Sequence, residues 1–335
     1  MSYQKTLWAL GSILIMLFFL SLFTGQMHLT FADVAAWGRD WLEPGRLEPS
    51  PKSLVFFDVR LPRSLAAVLG GAGLAVSGAA YQGLFRNPLV SPDILGVSAG
   101  CAFGAALGLI LPGSSFGIVR ALSFAFGVSA VALAAGIARA VAVRQVLVLI
   151  LAGLVVTSMF NALLMVLKYT ADPYSQLPAI VFWVMGSMHR CSWADVRLIA
   201  PVILAGLALI FLLRFKLNIL SLGDVQATSL GLNPRRYRIF FIGISSLMVA
   251  VTVSACGQIG WIGLVIPHMA RTLSGPDHRV MIPVTALMGG AFLLAADLAA
   301  RSLTSAELPV SILTAMAGGP LFAFLLYRNR ARGWI

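Results

Sequence analysis

Asp58-Val59-Arg60-Leu61-Pro62-Arg63 leads into the apolar residues 64–82, after which the chain turns at Arg86-Asn87-Pro88-Leu89 and Ser91-Pro92-Asp93. Arginines stand at one mouth of an apolar helix, and a polar Asn-Pro turn stands at the other. About 20 residues at 1.5 Å rise cover roughly 30 Å, the thickness of a bilayer's hydrocarbon core. Small residues recur along this stretch at four-residue spacing, Ala66 to Gly70 and Gly71 to Ala75 to Ala79. That spacing lets helix backbones approach closely, which a lipid-exposed anchor does not require. The stretch therefore predicts a membrane span packed inside a bundle.

The composition agrees. Of 335 residues, 59% are hydrophobic and 11% charged, whereas a soluble domain carries about 25% charge. The chain reads as an all-α integral membrane protein, one transmembrane domain over residues 1–335 rather than two. A formal charge of +12 would point to nucleic acid in a soluble chain. Here the charges sit in short loops, so membrane topology accounts for them and no nucleic-acid partner is expected. Cys101, Cys191 and Cys256 are odd in number and far apart, without a disulfide framework or metal-ligand spacing; Cys101 and Cys256 read as packing residues. Lys5 followed by apolar residues 7–23 resembles a signal peptide, but no Ala-x-Ala site follows, which predicts an uncleaved first span.

Apolar runs give about ten spans: 7–24, 64–82, 93–111, 121–138, 146–167, 196–213, 238–256, 258–273, 282–300 and 309–327. Two shorter segments do not span. Residues 176–187 read as a re-entrant or surface helix, and 222–232 as a short amphipathic helix between polar turns. Residues 26–58 read as a solvated loop, with a partner surface as the alternative. Gly96, Gly100, Gly104 and Gly108 form a stripe for close packing. The glycine-rich run 257–268, ending at Pro267-His268, predicts a short, kinked, buried span, because irregular backbone at membrane depth must be covered by protein. With both termini in the cytoplasm, the inner loops collect most of the basic residues, including Arg86, Arg139, Arg144, Arg235 and the tail Arg328-Asn329-Arg330-Ala331-Arg332.

Several of these residues, in this order, resemble a known family. Arg60-Leu61-Pro62-Arg63, Gly78, Gln82, Arg86-Asn87-Pro88-Leu89, Pro92 and Leu95-Gly96-Val97 look like the signature of the vitamin B12, iron-siderophore and haem type of ABC importer permease. Ile180-Val181-Phe182-Trp183-Val184-Met185-Gly186-Ser187, Gly263-Leu264-Val265-Ile266-Pro267-His268-Met269-Ala270-Arg271 and Ala306-Glu307-Leu308-Pro309 agree with it. The resemblance covers residues 50–327. It implies a ten-span type II importer subunit in a bacterial inner membrane, paired with a second copy of itself. Two cytoplasmic ATP-binding subunits and a periplasmic substrate-binding protein complete the implied assembly.

The resemblance also implies sites. Residues 222–232, with Gly223, Asp224, Ala227, Leu230 and Gly231, resemble the helix that couples to the ATPase; the bland alternative is an interfacial helix. On its own chemistry the segment has glycines at both ends, an acid in the first turn, and Ala227 with Leu230 as a small apolar face. Arg60, Arg63 and Arg301 match the arginines that receive acidic residues of the binding protein, with headgroup anchoring as the alternative for Arg60 and Arg63. Asp297 lies four residues before Arg301, which favours structural pairing on one helix face. The implied path at the dimer axis is lined by spans 146–167 and 309–327 and the helix 176–187. It offers Thr157, Ser158, Met159 and Asn161, each of which could equally be satisfied by helix–helix hydrogen bonds. His189 and Arg190 depart from the family's small residues there and are candidates for tuning the substrate.

No Gly-x-x-x-x-Gly-Lys-Ser/Thr loop is present, so ATP and Mg are expected in a partner chain and no cofactor or metal in this one. The subunit is expected to perform no covalent chemistry. The cargo class is a metal chelate (iron-siderophore, haem or cobalamin), with molybdate or tungstate as the alternative. An ion-coupled secondary transporter would need midplane charges and inverted repeats. A membrane-embedded prenyl transferase would need acidic metal-binding motifs at loop mouths. Only Asp297 lies within a span, near its end, no clear repeat is present, and no acidic metal-binding motif stands at a loop mouth, which leaves the secondary transporter as the less favoured alternative.

Overall fold

A computed structural model describes residues 3–42, 50–141, 146–304 and 306–329. Arg144, Arg330 and Arg332, part of the orientation argument, lie outside them. In chain order the helices are α1 (Tyr3–Phe23), α2 (Phe31–Leu42), α3 (Pro51–Leu54), α4 (Leu61–Phe85), α5 (Val97–Ile110), α6 (Phe116–Ala140) and α7 (Val146–Thr170). They continue as α8 (Gln176–Val184), α9 (Trp193–Ser221), α10 (Asp224–Ser229), α11 (Pro234–Cys256), α12 (Ile262–Ser274), α13 (His278–Ser302) and α14 (Val310–Asn329). Seven runs are long and apolar enough to cross a membrane: α1, α3 through α4, α6, α7, α9, α11 and α13. The shorter α5, α12 and α14 bring the number of spans to about ten.

α4 is the axis of the bundle. Pro51 opens the run behind Ser50, whose Oγ accepts from Ser53 N at 3.2 Å. A π-helical turn, Val55–Arg60, then feeds directly into α4. The helix stops where Arg86 turns left-handed, at φ 51°, and the N–H groups of Arg86 and Asn87 both return to the Gln82 carbonyl. Nearly every residue of α4 is buried, because α9, α11, α12 and α13 surround it. The small-residue pattern explains how so many neighbours fit. A Cβ on Gly71 would overlap the carbonyl of Gly289 on α13, and one on Gly289 would overlap that of Gly71. Buried polar groups on α4 find partners across the same contacts. Tyr81 Oη lies 2.7 Å from Ser246 Oγ, and Gln82 Nε2 donates to Leu264 O at 3.2 Å.

Two stretches interrupt the α-helices, residues 86–96, which include a 3-10 turn at Pro92–Leu95, and residues 257–261. They are the reason α5 and α12 are short. Gly78, well along α4, abuts Gly263 in the first turn of α12, and Gly263 rests on Pro92. α12 therefore starts at depth, beside the middle of its neighbour. Gln258 Nε2, from the second stretch, donates to Ser98 O in the first turn of α5 at 2.9 Å, tying it to the helix that follows the first.

Two expectations need correction. Gly100, Gly104 and Gly108 do pack on α6, against Phe126, Leu122 and Val119. Gly96 does not join that face: at φ 82° it sits at the N-cap of α5 and faces Val156 and Thr157 of α7. Residues 26–58 are not simply loop, since α2 and α3 lie within them. Thr30 and Asp33 cap α2 reciprocally, Asp33 N donating to Thr30 Oγ1 at 3.3 Å and Thr30 N to Asp33 Oδ2 at 2.8 Å. The aromatic rings of Phe23, Trp37 and Phe56 pack beside it.

Candidate functional site

The start of α4 and the ends of α1, α11 and α13 meet at one end of the bundle, called here the Arg63 end. Arg60 is 4% exposed, and its guanidinium donates to Leu22 O at 2.9 Å and Met27 O at 2.6 Å, closing the turn after α1. Arg63 donates through Nε to both Asp297 oxygens, at 2.9 and 3.1 Å, and through Nη1 to Glu307 Oε2 at 2.9 Å. Arg301 lies 3.7 Å from Asp297 and donates to Ser21 O. Asp297 is fully enclosed between two guanidiniums, so its charge is compensated rather than stranded. The pairing of Asp297 with Arg301 expected from their spacing is present. The nearer partner, Arg63, comes from another helix and has no local signal.

All three arginines are thus buried and engaged. To receive a partner's carboxylate, each would have to release the bonds just described; in this conformation they brace the face. His189 and Arg190 lie exposed at the same end. Arg190 Nε donates to His189 Nε2 at 3.1 Å, which assigns the ring proton to Nδ1, 2.7 Å from Ser187 Oγ. Partial burial, then the neighbouring Arg190 charge, push the imidazole below its ordinary pKa.

α7 buries one side and leaves the other open. Ala152, Val156 and Phe160 pack inward, while Leu151, Leu154, Val155, Met159 and Val166 face outward. Ser158 and Asn161 share the outward surface with Met159, and Thr157 is half-buried. The Thr157 hydroxyl donates to Gly153 O at 2.8 Å, so that group is satisfied within its own helix. Phe182 of α8 and Met316 of α14 are likewise exposed.

At the opposite end, α10 stands between Gly223, with φ 116°, and Gly231, with φ 76°. A Cβ on Gly223 would crowd Gln226 Oε1 and approach Arg86 Nη1, so the left-handed turn also allows α10 to sit close to the end of α4. Asp224 pairs with Arg238 of α11 at 2.7 Å. The expected common face of Ala227 and Leu230 does not form. Ala227 is buried against the bundle, whereas Leu230 falls beyond the last helical residue and points out at 61% exposure, as do Val225 and Leu222. The outward apolar tip is therefore Leu222, Val225 and Leu230. Beside it opens a groove of about 1330 Å³ between α6, α7 and α11, with apolar walls that include Ala135, Leu149 and Ile242 and with Arg139, Arg235 and Arg238 among its lining.

Among the described residues, no group of three or more His, Cys, Asp or Glu side chains is placed to hold a metal ion.

Known proteins share this arrangement. The chain is 39% identical over 333 residues to the molybdate import system permease protein MolB of Haemophilus influenzae, covering 99% of this chain and 98% of that one. It is 37% identical over 284 residues to the cobalamin import system permease protein BtuC of Halobacterium salinarum, covering 85% and 76%. Other relatives are named for iron chelatin and hemin transport. A solved metal-chelate-type ABC transporter in an inward-facing conformation superposes with a TM-score of 0.87 at 38% identity, over 97% of this chain and 99% of that one. Residues 13–328 match the FecCD transport family model. The chain is therefore a multi-pass ABC importer permease, and it belongs to the FecCD transport family.

Proposed function

We propose that this subunit is one half of a paired conduit in a bacterial inner membrane, with the Arg63 end facing the periplasm and both termini in the cytoplasm. Two ATP-binding subunits dock at the α10 end, and a substrate-binding protein docks at the Arg63 end. The observation that carries this reading is α10 itself. Its exposed apolar tip, Leu222, Val225 and Leu230, has the composition of a docking surface, while Ala227, Asp224 and Gly223 tie it to the bundle, to α11 and to the end of α4. A push on α10 therefore reaches α9 and α11, both of which pack on the central helix. The groove beside it gives α6 and α11 space in which to shift. ATP and Mg act in the partner chains, and this chain performs no covalent step.

The outward faces of α7, α8 and α14 are the surfaces we assign to the dimer axis and the path, with Ser158, Met159 and Asn161 exposed along it and Thr157 behind them. Such a lining is apolar to mildly polar and carries no charge on α7 between Val146 and Leu167. It would hold cargo weakly and leave selection to the binding protein. Arg60, Arg63 and Arg301 serve the docking face as its frame, and engage a partner's acids only by exchanging their present bonds.

For the cargo, a relative that matches nearly end to end and is named for molybdate import supports a molybdate-type oxyanion. A metal chelate (iron-siderophore, haem or cobalamin) is the second reading, supported by the cobalamin, iron chelatin and hemin relatives. Uptake of labelled molybdate against labelled iron chelate, in cells with and without the gene, separates them. Loss of molybdate uptake alone supports the first, and loss of chelate uptake alone supports the second.

A further inference from the structure

Cys191 and Cys256 are 65 positions apart in sequence, yet their sulfur atoms lie 3.6 Å from one another in a buried contact. Cys191 is in the turn before α9, and Cys256 is the last residue of α11. Hydrogen bonds hold the backbone around both. Cys191 N donates to Met188 O at 3.0 Å, Ser187 N to Cys256 O at 2.9 Å, and Gly257 N to Val253 O at 2.8 Å. Disulfide sulfurs stand about 2.0 Å apart, so bonding requires a closure of about 1.6 Å from the observed separation. The third cysteine, Cys101, faces the Ala250 carbonyl from α5.

We propose that Cys191 and Cys256 are joined by a disulfide in the mature protein, linking the turn after α8 to the end of α11. The inference rests on the orientation proposed above, because the compartment outside the cytoplasm is the oxidising one. Two thiols give up two electrons and two protons, and a disulfide-bearing thiol oxidoreductase of that compartment takes them and becomes a dithiol. One S–S bond forms in the permease as one breaks in the oxidant. Exchange precedes packing, since the folded side chains are only 5% and 2% exposed. The same turn carries Gly186, whose carbonyl accepts from Val310 N at the start of α14 at 3.1 Å. The bridge would therefore hold α8, α11 and α14 in register at the Arg63 end.

The test uses the full complex in membranes. Cells are quenched in acid, the protein is denatured, and free thiols are blocked with a maleimide. The sample is then reduced and labelled with a mass-tagged maleimide. Wild type should show two cysteines that label only after reduction, Cys101→Ser should also show two, and Cys191→Ser should show none. Reductant should lower the melting midpoint of wild type and leave that of Cys191→Ser unchanged. Three thiols blocked before reduction in wild type would overturn the bridge.

Orientation is read independently from Tyr174→Cys, at a site 93% exposed, in a background with the three native cysteines changed to serine. Reaction of that residue with an impermeant maleimide outside spheroplasts, together with reduced Cys191 and Cys256, would refute the bridge alone. Reaction only after lysis would refute the orientation, and with reduced Cys191 and Cys256 it would refute the bridge as well.

Discussion

Arg63 on α4 and Asp297 on α13 are joined by a buried ion pair in which one guanidinium nitrogen serves both carboxylate oxygens, at 2.9 and 3.1 Å. Each side chain is at most 5% exposed. Glu307 and Arg301 complete a group of two cations and two anions, so the cluster is neutral as a whole. Removing one partner strands a charge, whereas replacing both with apolar groups need not. Arg63→Met or Asp297→Leu should each destabilise the protein by about 3–5 kcal/mol. The double variant should recover most of the loss. Thermal unfolding followed by size-exclusion chromatography checks this, and additive losses in the double variant would contradict it.

The α4–α13 crossing rests on the absence of side chains at Gly71 and Gly289. Gly71→Val forces two packed helices apart and should cost about 1–3 kcal/mol or more. Gly136→Val is the control, because nothing lies within 4 Å of a Cβ there. It should change the midpoint little.

On α10, Val225→Asp with Leu230→Asp places charges on the exposed apolar tip without touching the bundle. The variant should fold normally but lose at least tenfold in affinity for the ATP-binding subunits, as loss of a docking anchor does. Arg238→Gln should have a smaller effect on stability, about 0.2–1 kcal/mol, because the Asp224 carboxylate it releases is half in solvent. Pull-down of the ATP-binding subunits with each variant separates the two roles.

Asp277 caps α13, and the hydrogen bond from Arg279 holds its carboxyl down to about 2, with Asn218 of α9 also donating to it at 2.6 Å. A carboxyl depressed in the folded state stabilises above its ordinary pKa of about 3.9, and that contribution fades as pH falls toward 2. Between pH 5 and pH 3, wild type should therefore lose more of its melting midpoint than Asp277→Asn. Parallel curves would show that the cap carries no linked proton.

Much of the fold could be read from hydrophobic periodicity, because bilayer thickness imposes a length on every span and each segment 64–82, 146–167 and 196–213 became a helix. The non-spanning segments 176–187 and 222–232 were legible for the same reason, being too short to cross. α2 was missed although Thr30 and Asp33 carry a readable capping pair; its neighbours in 26–58 are too polar for span logic to register it. The site was less legible. Asp297 and Arg301 are four residues apart and announce each other, but Arg63 reaches Asp297 across 234 positions. The Cys191–Cys256 contact is hidden in the same way, since only tertiary packing unites two cysteines that look isolated. Ala227 and Leu230 were placed on one face by helical spacing that holds only while the helix continues, and α10 ends at Ser229.

The central claim is that the chain conducts cargo only as part of an assembly driven by ATP from partner subunits. Proteoliposomes containing the permease alone, and the permease with its ATP-binding subunits and binding protein, would be compared for uptake of labelled molybdate and iron chelate. The account predicts ATP-dependent accumulation in the complete assembly, loss of it in the Val225→Asp, Leu230→Asp variant, and none with the permease by itself. Concentrative uptake by the isolated chain, driven by an ion gradient, would contradict it.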